Sequence, residues 1–159
     1  MRIVNTNDIE AMRWNSPQGR FRGAGIEISE ALGREPASTD IMKRHPFDVE
    51  ILRIAPGQTP YPYHAHSAQW EFYHVISGNG TVRHAGGTSA IAQGDAFLFE
   101  PHQPHQIVNS GDVDLVLYVV ADNPIGESAY FPDSEKWMVH TPQARLVRSE
   151  AIDYFDGED

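Results

Sequence analysis

The sequence predicts an all-β chain, an antiparallel sandwich or small barrel, on three observations. Apolar and polar residues alternate over Phe47–Ile54, as in a strand with one face buried and the other in water. Short runs rich in branched and aromatic residues then recur roughly every eight to twelve residues as far as Val120, separated by glycine-bearing turns. Between those limits no stretch carries the period of a long helix, which argues against alternating β-α units.

Taken in order, Met1 to Asp40 reads as an N-terminal arm (residues 1–40). Trp14 and Phe21 stand isolated, Ser16-Pro17-Gln18-Gly19 is a turn, and one or two strands are expected, Phe21 to Ile28 among them. Glu30-Ala31-Leu32-Gly33 reads as one helical turn or a loop. The barrel is expected over 41–122. Phe47–Ile54 is closed by Ala55-Pro56-Gly57, a strand through His64 and His66 follows, and Glu71 opens another that runs to Ser77. Ser77-Gly78-Asn79-Gly80 is a hairpin signal built of residues that tolerate positive φ. Thr81–His84 and Ser89–Ala92 flank Ala85-Gly86-Gly87-Thr88, a second hairpin, and Gly94-Asp95 is a third turn. Ala96 to Phe99, Gln106 to Asn109 and Leu115 to Val120 supply the last three strands, parted by a proline-rich loop and by Ser110-Gly111-Asp112. Residues 123–159 read as an extension packing on the barrel, with an acidic, frayed end from Asp153 to Asp159.

With 159 residues, 40% of them apolar, the chain suits one domain around one core. A net charge of −10 repels nucleic-acid phosphates and anionic membrane surfaces, so a small molecule is the expected partner. Cysteine is absent, which excludes disulfides, thiolate metal sites and thiol nucleophiles. Met1 to Glu10 has no apolar core of a leader and no run approaches a membrane span, so a cytoplasmic protein is expected.

His64-Ala65-His66-Ser67-Ala68-Gln69-Trp70-Glu71 gathers three metal-ligating side chains into one short stretch, and His105 is a fourth candidate. In a strand His64 and His66 share a face at roughly 6–7 Å, close enough to converge on one ion. Glu71 lies an odd number of residues beyond His66, so the small and polar run between them must turn or bulge for the carboxylate to join them. His74, three residues past Glu71, falls on the opposite face and reads as structural or exposed. Tyr73 shares the Glu71 face, where it either packs the core or offers its hydroxyl to a ligand. His102 lies in the same loop as His105, either facing water or serving as a proton carrier. Tyr61, Tyr63 and Trp70 read as aromatic packing at the rim.

Imidazole and carboxylate donors without sulfur suit one divalent ion of Fe, Mn, Ni, Co or Zn. Four protein ligands leave open positions where a metabolite can chelate through oxygen or a water can be acidified. Both a metalloenzyme and a metal-dependent binding or sensing module fit that description.

The spacing carries a resemblance. Gly57, six residues, His64-x-His66, four residues, Glu71, six residues and Gly78 resembles the first motif of the cupin superfamily, with one residue extra after the first glycine. After fifteen residues, Gly94-Asp95, Glu100-Pro101-His102-Gln103-Pro104-His105 and Asn109 resemble the second. Glu100 stands where that pattern has proline, and His102 where it has glycine. The resemblance implies a jelly-roll barrel, a metal held by His64, His66, Glu71 and His105, and either isomerase- or epimerase-like or dioxygenase-like chemistry, or binding alone. Together with the long N-terminal arm, it also implies a two-fold dimer. Tyr130 to Trp137 is similar to a segment of small bacterial cupins.

Overall fold

The computed structural model of the chain describes residues 1–141 and 143–158. The arm contributes β1 (Met12–Asn15) and β2 (Arg22–Glu27), followed by two four-residue helices, α1 (Ile28–Ala31) and α2 (Ile41–Arg44). The barrel strands are β3 (Phe47–Ile54), β4 (Ala65–His66), β5 (Glu71–Ser77), β6 (Asn79–His84), β7 (Gly87–Ala92), β8 (Ala96–Phe99), β9 (His105–Val108) and β10 (Leu115–Asp122). Beyond them lie β11 (Ser128–Phe131), β12 (Lys136–Thr141) and β13 (Gln143–Val147). No helix among the described residues is long and apolar enough to cross a membrane.

One sheet runs in the order β1-β2-β3-β10-β5-β8, and two smaller ones run β7-β6-β9 and β13-β12-β11-β4. Every strand pair is antiparallel. The smaller sheets meet where His64 and His105 exchange both backbone hydrogen bonds, at 3.1 and 2.8 Å. Together the sheets form the jelly-roll barrel. Its core takes Leu52 and Ile54 from β3, Tyr73 and Val75 from β5 and Leu115, Leu117 and Val119 from β10, against Val82, Ile91 and Ile107 of the opposing sheet. Each set follows the two-residue alternation of its strand.

The turn at Gly78 differs from the hairpin that its sequence signals. β10 and β8 already occupy both edges of β5, so β6 pairs instead with β7 and β9. Gly78 is therefore a corner at which the chain crosses between sheets, with φ of +84°. A Cβ there would lie 2.5 Å from the Asp114 carbonyl oxygen, which leaves glycine alone able to make the crossing.

Asn109, 0% exposed, ties the end of β3 to the β9–β10 loop. Its amide donates to the carbonyls of Ile54 and Val113 at 2.7 and 2.8 Å, and its side-chain oxygen accepts from the Gly111 N–H at 2.9 Å. Its backbone bonds both Gly57 and Gln58. The Pro56-Gly57 turn is thereby clamped to the β9–β10 loop, and the intervening segment carries the first histidines into the barrel.

Candidate metal centre

His64 and His66 flank Ala65 on the β4 segment, and after the predicted bend Glu71 enters as the first residue of β5. His105 opens β9, beside His64 through the backbone bridge. The four side chains converge inside the barrel. Ligand atoms of His64, His66 and Glu71 lie within 4.8 Å of one another. His105 Nε2 is 2.8 Å from Glu71 Oε2, and His66 Nε2 is 3.5 Å from the same oxygen. The ring centres of His64 and His105 are 4.7 Å apart.

The other ring nitrogens fix the tautomers. His64 Nδ1 lies 2.8 Å from the Pro62 carbonyl oxygen and His105 Nδ1 3.0 Å from that of Gln103. His66 Nδ1 lies 3.2 Å from the Glu127 carboxylate. Carbonyls and carboxylates only accept, so Nδ1 is the protonated nitrogen in each case and a neutral ring presents an Nε2 lone pair to the cluster. His66 Nε2, Glu71 Oε2 and His105 Nε2 are buried without a hydrogen-bond partner, and with His105 protonated on Nδ1 its short contact to Glu71 joins two acceptors. Acceptors gathered with no donor among them call for a cation.

The surroundings set the charge of each group. Burial works to raise the Glu71 carboxyl, but the adjacent His105 and His66 imidazoles outweigh it and hold the group down to about 2, an anion. Burial and the neighbouring His105 push His64 down to about 4, a neutral donor. Burial also acts to lower His66, yet the Glu127 hydrogen bond and the Glu71 charge prevail and raise it. The group can thus hold a metal ion through nitrogen and oxygen donors.

The remaining predicted residues take different places. Tyr73 is buried, stacked on Phe97 at 5.2 Å, and burial with the Glu71 charge holds its phenol well above the ordinary value. His102 is exposed and lines a hollow of about 340 Å³ with His84, Phe99 and Gln103. Its N–H donates to the His66 carbonyl at 2.7 Å, and its φ of +68° is a left-handed conformation for a non-glycine residue. Replacing His102 with glycine should release that strain and, after the entropic cost of glycine, add about 0.5–1 kcal/mol to the unfolding free energy in urea titrations. His74 projects from the opposite face of β5, half-buried. Tyr61 stacks on Trp14 at 5.1 Å, Tyr63 is buried with the Arg83 guanidinium 3.8 Å from its ring centre, and Trp70 is exposed.

Two residues escaped the reading of the sequence. Glu127 precedes β11, buried, where it bonds His66 and accepts from the Ser67 and Ala68 N–H groups at 2.9 and 3.0 Å. No local pattern marks it, since its partners are some sixty residues away. Glu127→Gln should weaken metal binding by about 10–100-fold in chelator competition, since a carboxylate behind a ligating imidazole orients the ring and raises its basicity. Glu50 lines an inner cavity of about 120 Å³ with Asp48, Gln69, Glu71, Val119 and Ala121. Burial, then the Glu27 charge, push its carboxyl up to about 8. Its signal was present, as a charged residue two positions before buried Leu52 on the same strand face.

A family model described as a cupin domain matches residues 50–121. A curated relative from Thermotoga maritima, named oxalate-binding protein, is 25% identical over 119 residues, covering 74% of this chain and 91% of its own. A cupin-superfamily sugar phosphate isomerase from Silicibacter pomeroyi DSS-3 superposes with a TM-score of 0.77 at 21% identity, covering 96% of this chain and 98% of that one. A predicted oxalate decarboxylase from Thermotoga maritima gives 0.60 at 18% identity, covering 77% and 100%. Motif spacing, barrel topology and the family model agree in placing a cupin domain at residues 50–121.

Proposed function

We propose that the chain holds one divalent transition-metal ion on His64, His66, Glu71 and His105 and acts as a metalloenzyme on a small oxygenated metabolite. What carries this reading is the meeting of three buried acceptors, His66 Nε2, Glu71 Oε2 and His105 Nε2, that have no hydrogen-bond partner. When bound, the ion supplies a Lewis acid that polarises a carbonyl or hydroxyl oxygen. Tyr73 stays a neutral phenol in this surrounding and can donate to a ligand oxygen. Glu50, near neutrality in its proton affinity and sharing a cavity with Glu71, can take up and return a proton. Reversible proton transfer is what isomerisation or epimerisation needs, which favours that chemistry over a dioxygenase reaction. His102 is assigned a ligand contact or proton-carrying role from its own hollow.

Elemental analysis of protein purified without added metal should return about one equivalent of a divalent transition metal. The loaded protein should interconvert a member of a panel of sugars and hydroxy acids without consuming dioxygen. His102→Ala should keep the metal and lose turnover; full activity in that variant would remove His102 from the mechanism. A second reading, metal-dependent binding without turnover, is favoured by the name of the curated oxalate-binding relative; saturable binding with no product over the whole panel would select it. The assembly we propose is a two-fold dimer, to which β1, at the open edge of the large sheet, offers a pairing surface. Sedimentation at micromolar concentration should show twice the 17.8 kDa chain mass.

A further inference from the structure

The wall beside the histidines is acidic, and its composition bears on the kind of ligand. Asp48 and Glu50 point to the barrel interior from β3, on the face that also carries Leu52 and Ile54. Glu50 stands in register with Glu27 on β2, and both carboxyls reach over Gly25. A Cβ at residue 25 would lie 2.6 Å from Glu27 Oε1 and 3.1 Å from Glu50 Oε2, so glycine leaves the space in which the two groups meet. The cavity of about 120 Å³ that joins Glu50 to Glu71 is completed by Asp48, the Gln69 amide, Val119 and Ala121, with no lysine or arginine in its lining.

The nearby cations are directed elsewhere. Arg34 is bound to Asp48 at 2.8 Å and also meets Glu30. Arg13, Arg22 and Arg53 lie around a separate hollow with Ala55, Pro56 and Gln58, and Arg53 is paired with Asp114 at 3.1 Å. Ala24 is in register with both Arg13 and Arg53, which places these arginines on the face opposite to Gly25, Leu52 and the acidic pair. Beyond the ion itself, a phosphate or second carboxylate brought to the metal cluster would face the Glu50–Glu27 pair with no positive side chain in the cavity lining to receive it, the Arg34 charge being taken up by Asp48.

We infer that the ligand of this centre is uncharged and rich in hydroxyl groups, a polyol or an unphosphorylated sugar, with hydroxyls donated to the Glu50 and Glu27 carboxyls while its other oxygens face the metal cluster. The inference rests on the metal-centre reading above and narrows it to a ligand class. Hydroxyl groups donating to carboxylates form the stronger, charge-assisted kind of hydrogen bond, and the Gln69 amide supplies a further donor and acceptor. Burial and Glu27 keep a proton within the pair near neutral pH, so Glu50 can also donate to a ligand oxygen. The unprotonated carboxyl of the pair accepts from a hydroxyl and repels an anion.

The test uses the full chain loaded with Mn(II), whose metal binding is first measured by calorimetry. D-xylose, D-fructose and myo-inositol are then titrated as neutral probes, against oxalate and inorganic phosphate as anions, with ligand-observed NMR on a Zn(II)-loaded sample for weak binders. At least one neutral probe should bind more tightly than either anion. Glu50→Gln should weaken that probe about tenfold or more, tighten oxalate, and leave metal affinity within about twofold. Glu27→Gln, on the neighbouring strand, repeats the comparison should the first variant fold poorly. Tighter binding of oxalate or phosphate than of every neutral probe, absence of any neutral binding to metal-loaded protein, or neutral binding untouched in both variants would overturn the inference while leaving the metal centre standing. Failure of wild-type protein to bind metal would instead overturn the reading on which it rests.

Discussion

His66→Ala and Glu71→Gln should each strip the chain of bound metal while leaving the barrel folded. Neither side chain belongs to the apolar cluster of Leu52, Ile54, Val75, Leu115 and Leu117, so the core survives their loss. His66→Ala removes a neutral donor, whereas Glu71→Gln keeps the shape and removes the single negative charge that the four candidate ligands bring to the cation. His64→Ala and His105→Ala should act in the same direction. What disappears with the metal is the stability that binding confers, about 2.7 kcal/mol for free metal at 100 times its dissociation constant. For a chain of this size that corresponds to a fall of about 5–10 °C in Tm, with the variants' Tm no longer responding to added metal. His74→Ala is the control, because its ring leaves the other face of β5. Equal metal loss in His74→Ala and His66→Ala, measured by elemental analysis, would show that the cluster is not the site.

Asn109→Ala should be among the most damaging single changes, costing about 2–4 kcal/mol in chemical denaturation. The buried amide serves two carbonyls and one N–H from the end of β3 and the β9–β10 loop, and alanine leaves all of them unpaired where water has little access. Asn109→Asp sharpens the test. It retains an acceptor for Gly111 but loses both donors and sets a carboxylate against the carbonyls of Ile54 and Val113, so it should be no more stable than the alanine variant. A loss below about 0.5 kcal/mol in both would mean that the clamp is not a stabilising element. The bonds to Gly57 and Gln58, which hold the turn before the histidine segment, come from the backbone of residue 109 and survive either substitution, so metal affinity should change little.

The all-β architecture and the grouping of His64, His66 and Glu71 were legible because both depend on local rules, whereas His105 joined them through the resemblance of the second motif. Alternation names strands, glycine and proline name the breaks between them, and a histidine pair two apart on one strand shares a face whatever the rest of the chain does. The odd spacing from His66 to Glu71 demanded a bend, and the residues between β4 and β5 supply it. Strand partners were less accessible. The glycine turn after Ser77 has the composition of a hairpin, yet the competition of β8 and β10 for the edges of β5 sends β6 into the other sheet.

The alternation of β3 was also open to two phases. Phe47, Val49 and Ile51 alternate with Asp48 and Glu50 as though the apolar set faced the core, but the phase changes at Leu52, and Leu52 and Ile54 are the buried members. The first half of the strand therefore turns its carboxylates inward, toward the metal cluster, and Phe47 outward, 51% exposed. By itself the sequence determined the fold class, the positions of the turns and the grouping of His64, His66 and Glu71, since each follows from residue type and short-range spacing. Tertiary structure alone decided that Glu127 stands behind His66 and that Glu27 meets Glu50 over Gly25. Contacts between residues so far apart in the chain depend on which strand edges pair, and pairing is a property of the whole sheet rather than of any segment in it.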